Sequence, residues 1–452
     1  MALFKRRLFF WLLKAYIKRW GRRIFLLIVI GALGFFLILN AFKFFVPKFL
    51  NSQKETVGIV GAYTLDSLPS FILNKLSVGL TSISKDGMPH PALAKSWKID
   101  NNGKQYTFFL KRNMHFSDGS LLTSNKINYS FSDVRITRPN KFTLVFSLKE
   151  SYSPFLITVS SPIFKNGFVG IGDYKIIDLK LNGPFVEYIT LASIKNPNHI
   201  ITYRFYPSMS ALKTAYLLGE IRIAQGLDNA RYKNTSFYDF VNTEVKKTVD
   251  YSHLVTIFYN TKDPVLSDAR IRDALSYAVP DHFPDGLRNY LPLSPYSWAY
   301  NKDLEPKTQD YVHAHLLLLS TPEGTASAKL SLKIETLPAY LSTAKIIKSS
   351  WEKLGIRVSI EKVNTIPSKF QIFLGSFILP KDPDEYALWH SGQNDNISNY
   401  KNLRIDKLLE DGRRIVNFSK RQSIYMDFQK YLLADSPATF LYFPYTYNLY
   451  RK

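Results

Sequence analysis

Residues 330–335 (LSLKIE), 341–354 (LSTAKIIKSSWEKL) and 356–363 (IRVSIEKV) decide the fold class of this chain. The first and third stretches alternate apolar and polar residues with a period of two, as a half-buried strand does. The middle stretch has the longer apolar spacing of a helix and stops at Gly355, a residue that ends helices because it accepts a left-handed backbone. Strand, helix, glycine and strand in this order form a βαβ unit. Strands joined by a helical crossover run parallel, so an α/β fold is expected.

Outward from that unit, strand patterns dominate the first half. Residues 105–110 (QYTFFL) and 142–148 (FTLVFSL) are rich in aromatic and β-branched residues. Turn signals separate such runs at Asp86-Gly87, Asn101-Asn102-Gly103 and Asp118-Gly119. Helical patterns enter later. Residues 208–218 (SMSALKTAYLL) begin at Ser208 and residues 268–279 (DARIRDALSYAV) at Asp268, both good N-cap types. A helix pair over 404–416 and 420–433 closes the domain. No internal repeat or low-complexity tract interrupts the chain.

A length of 452 residues is too great for one compact core, so two or three structural units are expected. An apolar fraction of 46%, with 33 Phe and 28 Tyr, excludes a disordered chain. There is no cysteine, which excludes disulfides, thiolate metal sites, cysteine nucleophiles and lipid attachment through a thiol. The net charge is +23, but ten of the 59 Lys and Arg lie in the first fifty residues with no acid among them, leaving a surplus of +13 beyond. The remaining basic residues are scattered and no recognition motif organises them, so nucleic acid is not an expected partner.

The clustered charge flanks an apolar run. Residues 24–42 (IFLLIVIGALGFFLILNAF) are apolar except for Asn40, and just long enough to cross a bilayer as a helix. Lys5, Arg6, Arg7, Lys14, Lys18, Arg19, Arg22 and Arg23 precede the run, and only Lys43 and Lys48 follow closely. The positive-inside rule therefore predicts residues 1–23 as a cytoplasmic basic segment, 24–46 as a single-pass anchor and an extracytoplasmic remainder. The run is longer than a signal-peptide core and no A-x-A-like site follows it, which favours an uncleaved anchor. Residues 8–20 (LFFWLLKAYIKRW) mix aromatic and basic side chains as an interfacial helix does. Only residues 46–56 separate the anchor from the first strand pattern, so the folded part is expected close to the membrane.

Several stretches in sequence order resemble one family. Residues 91–97 (PALAKSW) are followed by Tyr106-Thr107-Phe108, Leu110, Phe116, Asp118-Gly119 and Leu122. Residues 268–278 (DARIRDALSYA), 351–360 (WEKLGIRVSI) and Asn399-Tyr400-Lys401-Asn402 with Asp406 and Leu408-Leu409 come next. Residues 434–444 (ADSPATFLYFP), with Tyr445, complete the set. Together they resemble the extracytoplasmic solute-binding proteins of peptide, dipeptide and nickel ABC transporters, bacterial family 5. Most of these residues, Trp97, Phe108, Leu275 and Trp351 among them, read as core positions that specify the fold rather than touch a ligand.

The resemblance implies a two-lobed, periplasmic-binding-protein-like fold of class II. Lobe I is expected over 57–252 plus 441–452 and lobe II over 261–440, with hinge crossings near 253–260 and 441–447. It implies a peptide or peptide-like solute bound between the lobes and passed to an ABC transporter permease, with no catalytic group, metal or cofactor. In peptide binders of this family an aspartate ahead of a D-P-D-like stretch pairs with the ligand's α-amino group. Here that region reads GSFILPKDPDEY over 375–386 and puts Leu379 at the aspartate's place. A leucine cannot pair with an amine, so either the ligand has no free amine there or another acid, such as Asp382, Asp384 or Glu385, substitutes. Asp382 and Asp384 read equally well as a turn around Pro383. The expected ligand-binding set is Phe377, Leu379, Asp382, Asp384, Tyr386, Trp389, Tyr400, Trp298 and Asn260.

Other departures weaken any inheritance of specificity. The family's G-T-G-P-Y reads Gly170-Ile171-Gly172-Asp173-Tyr174, and the short segment between Phe131 and Phe142 implies a trimmed subdomain. These departures leave open a second reading, a non-transport binding or scaffold protein at the outer membrane face. A hydrolase reading lacks any H-E-x-x-H, G-x-S-x-G or P-loop motif, and His313 and His315 sit in an apolar run that reads as a helix start or strand.

Overall fold

The computed structural model of the protein describes residues 2–50, 53–321 and 330–452. The βαβ unit forms as its pattern dictates. Strand Ser331–Thr336 runs parallel to strand Arg357–Lys362, with Leu332 opposite Val358 and Ile334 opposite Ile360. Helix Leu341–Glu352 connects them, and Gly355 turns the chain at a φ of +80°. The helix buries Ala344, Ile347 and Trp351 against the sheet. The Trp351 indole Nε1 donates to the Leu275 carbonyl at 2.9 Å, so its one polar atom is satisfied inside the core. The expected N-caps also form: Ser208 Oγ accepts from Ala211 N and Asp268 Oδ1 from Arg270 N.

The architecture is α/β and two-lobed. A twelve-stranded sheet system runs through both lobes because one strand, Ala438–Arg451, belongs to each. Its first part pairs antiparallel with strand His253–Tyr259, from Ala438 opposite Phe258 to Tyr442 opposite Val255. Its second part pairs antiparallel with strand Thr243–Val249, from Tyr445 opposite Val249 to Arg451 opposite Thr243. The change of partner falls between Tyr442 and Tyr445 on the shared strand, facing the link between Val249 of one partner strand and Val255 of the next. A separate four-stranded antiparallel sheet orders Ala94–Asp100, Gln105–Leu110, Thr143–Leu148 and Val134–Asn140, and buries Tyr106, Phe108 and Phe146. The late helix pair spans Leu403–Arg414 and Phe418–Asp435.

Helix Ala2–Leu50 precedes the first strand, Gln53–Val60. No single helix among the described residues is long and apolar enough to cross a membrane. Lys14–Arg23 and Phe25–Ile38 meet that requirement only together, as a pair bent by 51°. Phe25, Leu33, Phe36 and Ile38 on the second piece are all exposed. Residue 1 of the basic segment, and residues 51–52 of the stretch that connects to the first strand, lie outside the described residues.

Candidate functional site

A cavity of about 490 Å³ opens where the two lobes and their connection meet. Three parts of the chain build it: the turn Ser84–Gly87 of the first lobe, Val249, Tyr251 and Ser252 at that lobe's end, where it makes the connection into strand His253–Tyr259, and two loops of the second lobe. The latter contribute Leu293, Ser294, Tyr296 and Ser297, and Leu379, Pro380 and Lys381. Leu293 and Leu379 give the wall an apolar part, and the two tyrosines and four serines give it hydroxyls, the mixture usual for a small-solute site.

The first-lobe turn is the tip of a hairpin, with strand Thr81–Ile83 antiparallel to Pro89–Pro91. Gly87 N donates to the Ser84 carbonyl at 3.1 Å, and Gly87 sits at a φ of +87°. The Asp86 carboxylate accepts from Ser84 Oγ and from Met88 N through Oδ1. These hydrogen bonds, the serine's first, hold its carboxyl below the usual carboxylate range. The tip also touches the second lobe, because Trp298 N donates to the Asp86 carbonyl at 3.0 Å.

The connection is fixed by its own polar contacts. Asp250 Oδ1 accepts from Ser252 N at 2.9 Å, and Asp250 Oδ2 lies 2.7 Å from His253 Nδ1. Burial opposes the Asp250 charge, but the bonds from His253 and Ser252 outweigh it and keep this carboxyl low. The same bond raises the pKa of His253. Ser252 in turn accepts from Leu379 N at 2.8 Å, tying the connection to the second-lobe loop. Tyr251 meets Tyr296 edge to face at 4.8 Å and Phe443 at 5.1 Å.

Of the residues expected to bind ligand, Leu379 lines this cavity and Trp298 stands beside it through its contact with the Asp86 turn. Asp382 is buried and held by both Nη atoms of Arg421. Asp384 accepts from Arg413 Nε through both oxygens, at 3.0 and 2.8 Å. Tyr386 is half-buried between His390, stacked at 4.1 Å, and the Arg413 guanidinium, 3.9 Å from its ring centre. Phe377 and Trp389 are buried in the second-lobe core, where Trp389 Nε1 donates to Glu385 Oε2 at 2.6 Å. Tyr400 is buried there too and donates to Asp435. Asn260 bridges loops, donating to the Phe370 carbonyl and accepting from Asn399. None of these last seven residues lines the cavity. The reason is common to them: the acids, Asn260, Trp389 and Tyr400 have polar partners within the second lobe, and each ring lies wholly or partly in its core.

Sequence reading missed Asp86, Tyr251, Tyr296 and Lys381. Asp86-Gly87 carries a turn signal, but nothing local says that this turn reaches the other lobe. Among the described residues no cluster of His, Asp or Glu could hold a metal ion.

The lobes also touch at a second place. Ser153 N donates to the Arg413 carbonyl at 2.7 Å, Ser151 Oγ to the Arg414 carbonyl and Ser153 Oγ to the Ile415 carbonyl, both at 2.5 Å. These carbonyls end helix Leu403–Arg414 and have no partner within it, so the first lobe caps a helix of the second.

The family model for bacterial extracellular solute-binding proteins, family 5 middle, matches residues 88–399, more than half of the chain. The oligopeptide-binding protein AppA of Bacillus subtilis is 23% identical, over 84% of this chain and 83% of its own. The ABC transporter substrate-binding protein CtaP of Listeria monocytogenes superposes with a TM-score of 0.74 at 20% identity, covering 88% of this chain and 94% of its own. NikZ of Campylobacter jejuni, solved with Ni(L-His), superposes with a TM-score of 0.70 at 20% identity, covering 89% and 94%.

Proposed function

This chain belongs to family 5 of the bacterial extracellular solute-binding proteins, and we propose that it captures a peptide or peptide-like solute between its lobes for delivery to an ABC transporter permease. The observation that carries this reading is the cavity at the junction, walled by both lobes and by their connection. A ligand there touches every part whose relative position changes on closure, so its binding energy is spent on the closed state. The lobes of this reading are residues 57–252 with 441–452, and 261–440, with the hinge in the crossings near 253–260 and 441–447. The change of strand partner between Tyr442 and Tyr445 supports a flexure there.

The reading includes a membrane anchor over residues 24–46, with residues 1–23 in the cytoplasm. Its support is a piece, Phe25–Ile38, that is apolar throughout its sequence and exposes Phe25, Leu33, Phe36 and Ile38, together with the basic residues before it. Carbonate extraction of membranes and protease access to the C-terminal part from outside the cell test this arm.

Native mass spectrometry of the full chain released from detergent tests the ligand. A series of bound masses matching short peptides is the expected result. A single non-peptide mass redefines the solute. A chain that stays empty after exposure to a peptide library removes the transport reading and leaves the scaffold one.

A further inference from the structure

The strand registers of the first lobe fix the end at which helix Ala2–Leu50 joins it. Gln53 opens strand Gln53–Val60 opposite His199, and the two strands run in parallel to Val60 opposite Tyr206. The turn 194–198 lies at the Gln53 end, because Ala192 pairs with Ile200 across it. Helix Met209–Leu218 starts at the Tyr206 end and runs back, so Leu217 and Leu218 come to the Gln53 end. There the chain turns again, and Arg222 N donates to the Thr56 carbonyl at 3.0 Å. Arg451 N donates to the Arg222 carbonyl at 2.8 Å and Lys452 N to the Asn242 carbonyl at 2.9 Å, which brings Val241 to the same level.

This end of the sheet carries exposed apolar side chains. Val241 is 92% exposed and Leu218 71%, and Leu217 and Ile194 are exposed beside them. Exposed Lys54, Arg222 and Lys452 stand among these residues. Acids are present too: Glu220 accepts from Tyr206, and Asp173 pairs with Lys195. Charge therefore does not dominate the surface, and burial of the apolar side chains has to supply any contact. Apolar exposure alone does not choose this end, since Leu181 and Phe185 are exposed at the opposite hairpin turn. The attachment chooses it. From residue 46 the helix runs on to Leu50, about 6 Å, and residues 51 and 52 add a reach of about 10 Å at most before Gln53. The polar headgroup layer takes up roughly 5–7 Å of that distance.

We propose that the Gln53 end of the first lobe rests on the lipid surface, with Leu218 and Val241 entering the headgroup region and Arg222 and Lys452 reaching lipid phosphates. The proposal rests on the anchor reading above and adds an orientation to it. Apolar side chains flanked by long cationic ones suit this boundary, because the stems lie along apolar surface while the charged heads stay hydrated. The first lobe is then held against the bilayer, and hinge motion is carried by the second.

The test uses the full chain in vesicles of equal parts phosphatidylcholine and phosphatidylglycerol, with no other protein present. The chain has no cysteine, so Leu218→Cys, Val241→Cys and, at the opposite turn, Asn182→Cys each place one spin label. Collisions with lipid-soluble oxygen and with a water-soluble nickel chelate report its surroundings. Labels at 218 and 241 are expected to lose access to the chelate and gain access to oxygen, while the label at 182 stays open to the chelate. A label at Ile194 is expected to be shielded in the same way, and to regain chelate access when Leu218→Glu and Val241→Glu are added at their exposed positions. Labels at 218 and 241 as open to the chelate as the one at 182 overturn the orientation, and so does an Ile194 label that stays shielded in the double glutamate variant. In either case a chain that remains with the vesicles through carbonate extraction leaves the anchor reading standing. A chain that carbonate strips from the vesicles removes the anchor reading and this proposal with it.

Discussion

Arg421 and Asp382 form a two-pronged ion pair inside the second lobe, with Nη1 to Oδ2 at 2.8 Å and Nη2 to Oδ1 at 2.5 Å. Both residues are buried. Burial alone disfavours the guanidinium charge, but the carboxylate outweighs it and holds Arg421 above its ordinary pKa. Arg421→Met strands a buried carboxylate and is expected to cost about 3–5 kcal/mol of stability, measured by denaturant unfolding. Replacing both members, Arg421→Met with Asp382→Leu, is expected to recover much of the loss. A single variant as stable as the wild type would mean that the Asp382 carboxylate is reached by water without Arg421, and so is open to ligand after all.

Glu385 gives the folded state a pH dependence. Burial drives its carboxyl well above the usual range, and the hydrogen bond from Trp389 only partly opposes this. Above the ordinary glutamate value the unfolded chain has released this proton while the folded protein still holds it. Stability therefore falls as pH rises through that window, by about 1.4 kcal/mol per unit for one group. Below the window both states are protonated and the term is constant. Asp384, raised by burial as well, adds a slope of the same sign. Glu385→Gln is expected to reduce the slope of unfolding free energy between weakly acidic and neutral pH, with Asp384 and His253, both raised in the folded state, contributing to what remains.

The serine caps across the lobes make closure measurable. Ser151 and Ser153 each satisfy an otherwise unpaired helix-end carbonyl only while the lobes touch. Losing both hydroxyls in a Ser151→Ala, Ser153→Ala protein removes about 1 kcal/mol per bond from the closed state. An open population increased by roughly tenfold or more is expected. The chain has no cysteine, so a spin label introduced on each lobe reports the distance distribution without background.

Gly87 tests the first-lobe turn. At a φ of +87°, an added Cβ would lie 2.6 Å from the Lys381 carbonyl oxygen of the other lobe. That obstacle is backbone and cannot rotate away. Gly87→Ala adds backbone strain of about 1–2 kcal/mol and pushes the turn off the facing loop. Ligand affinity is expected to fall roughly tenfold or more with little change in the unfolding midpoint of either lobe.

Much of the fold was legible because its signals are local. The alternation of residues 330–335 and 356–363, the helix between them and Gly355 named a parallel βαβ unit, and the strands pair in parallel register. Ser208 and Asp268 were readable as caps because a cap acts two or three residues away. The site was legible only in outline. Leu379 was read as standing in the ligand's path, and it lines the cavity. Asp382 and Asp384 were readable as acids beside Pro383, but not as acids already neutralised, because Arg421 and Arg413 lie on the late helix pair.

By itself, then, the sequence determined the α/β class, the absence of thiol chemistry and the concentration of positive charge before residue 50, since each follows from composition or short-range pattern, and the resemblance of its motifs pointed to the family. Only the tertiary structure decided which segments wall the cavity and which acids are already paired. That choice depends on contacts between residues hundreds of positions apart, such as Asp86 with Trp298 and Ser153 with Arg413. A charge's availability is set by what folding brings beside it, and no local spacing encodes that.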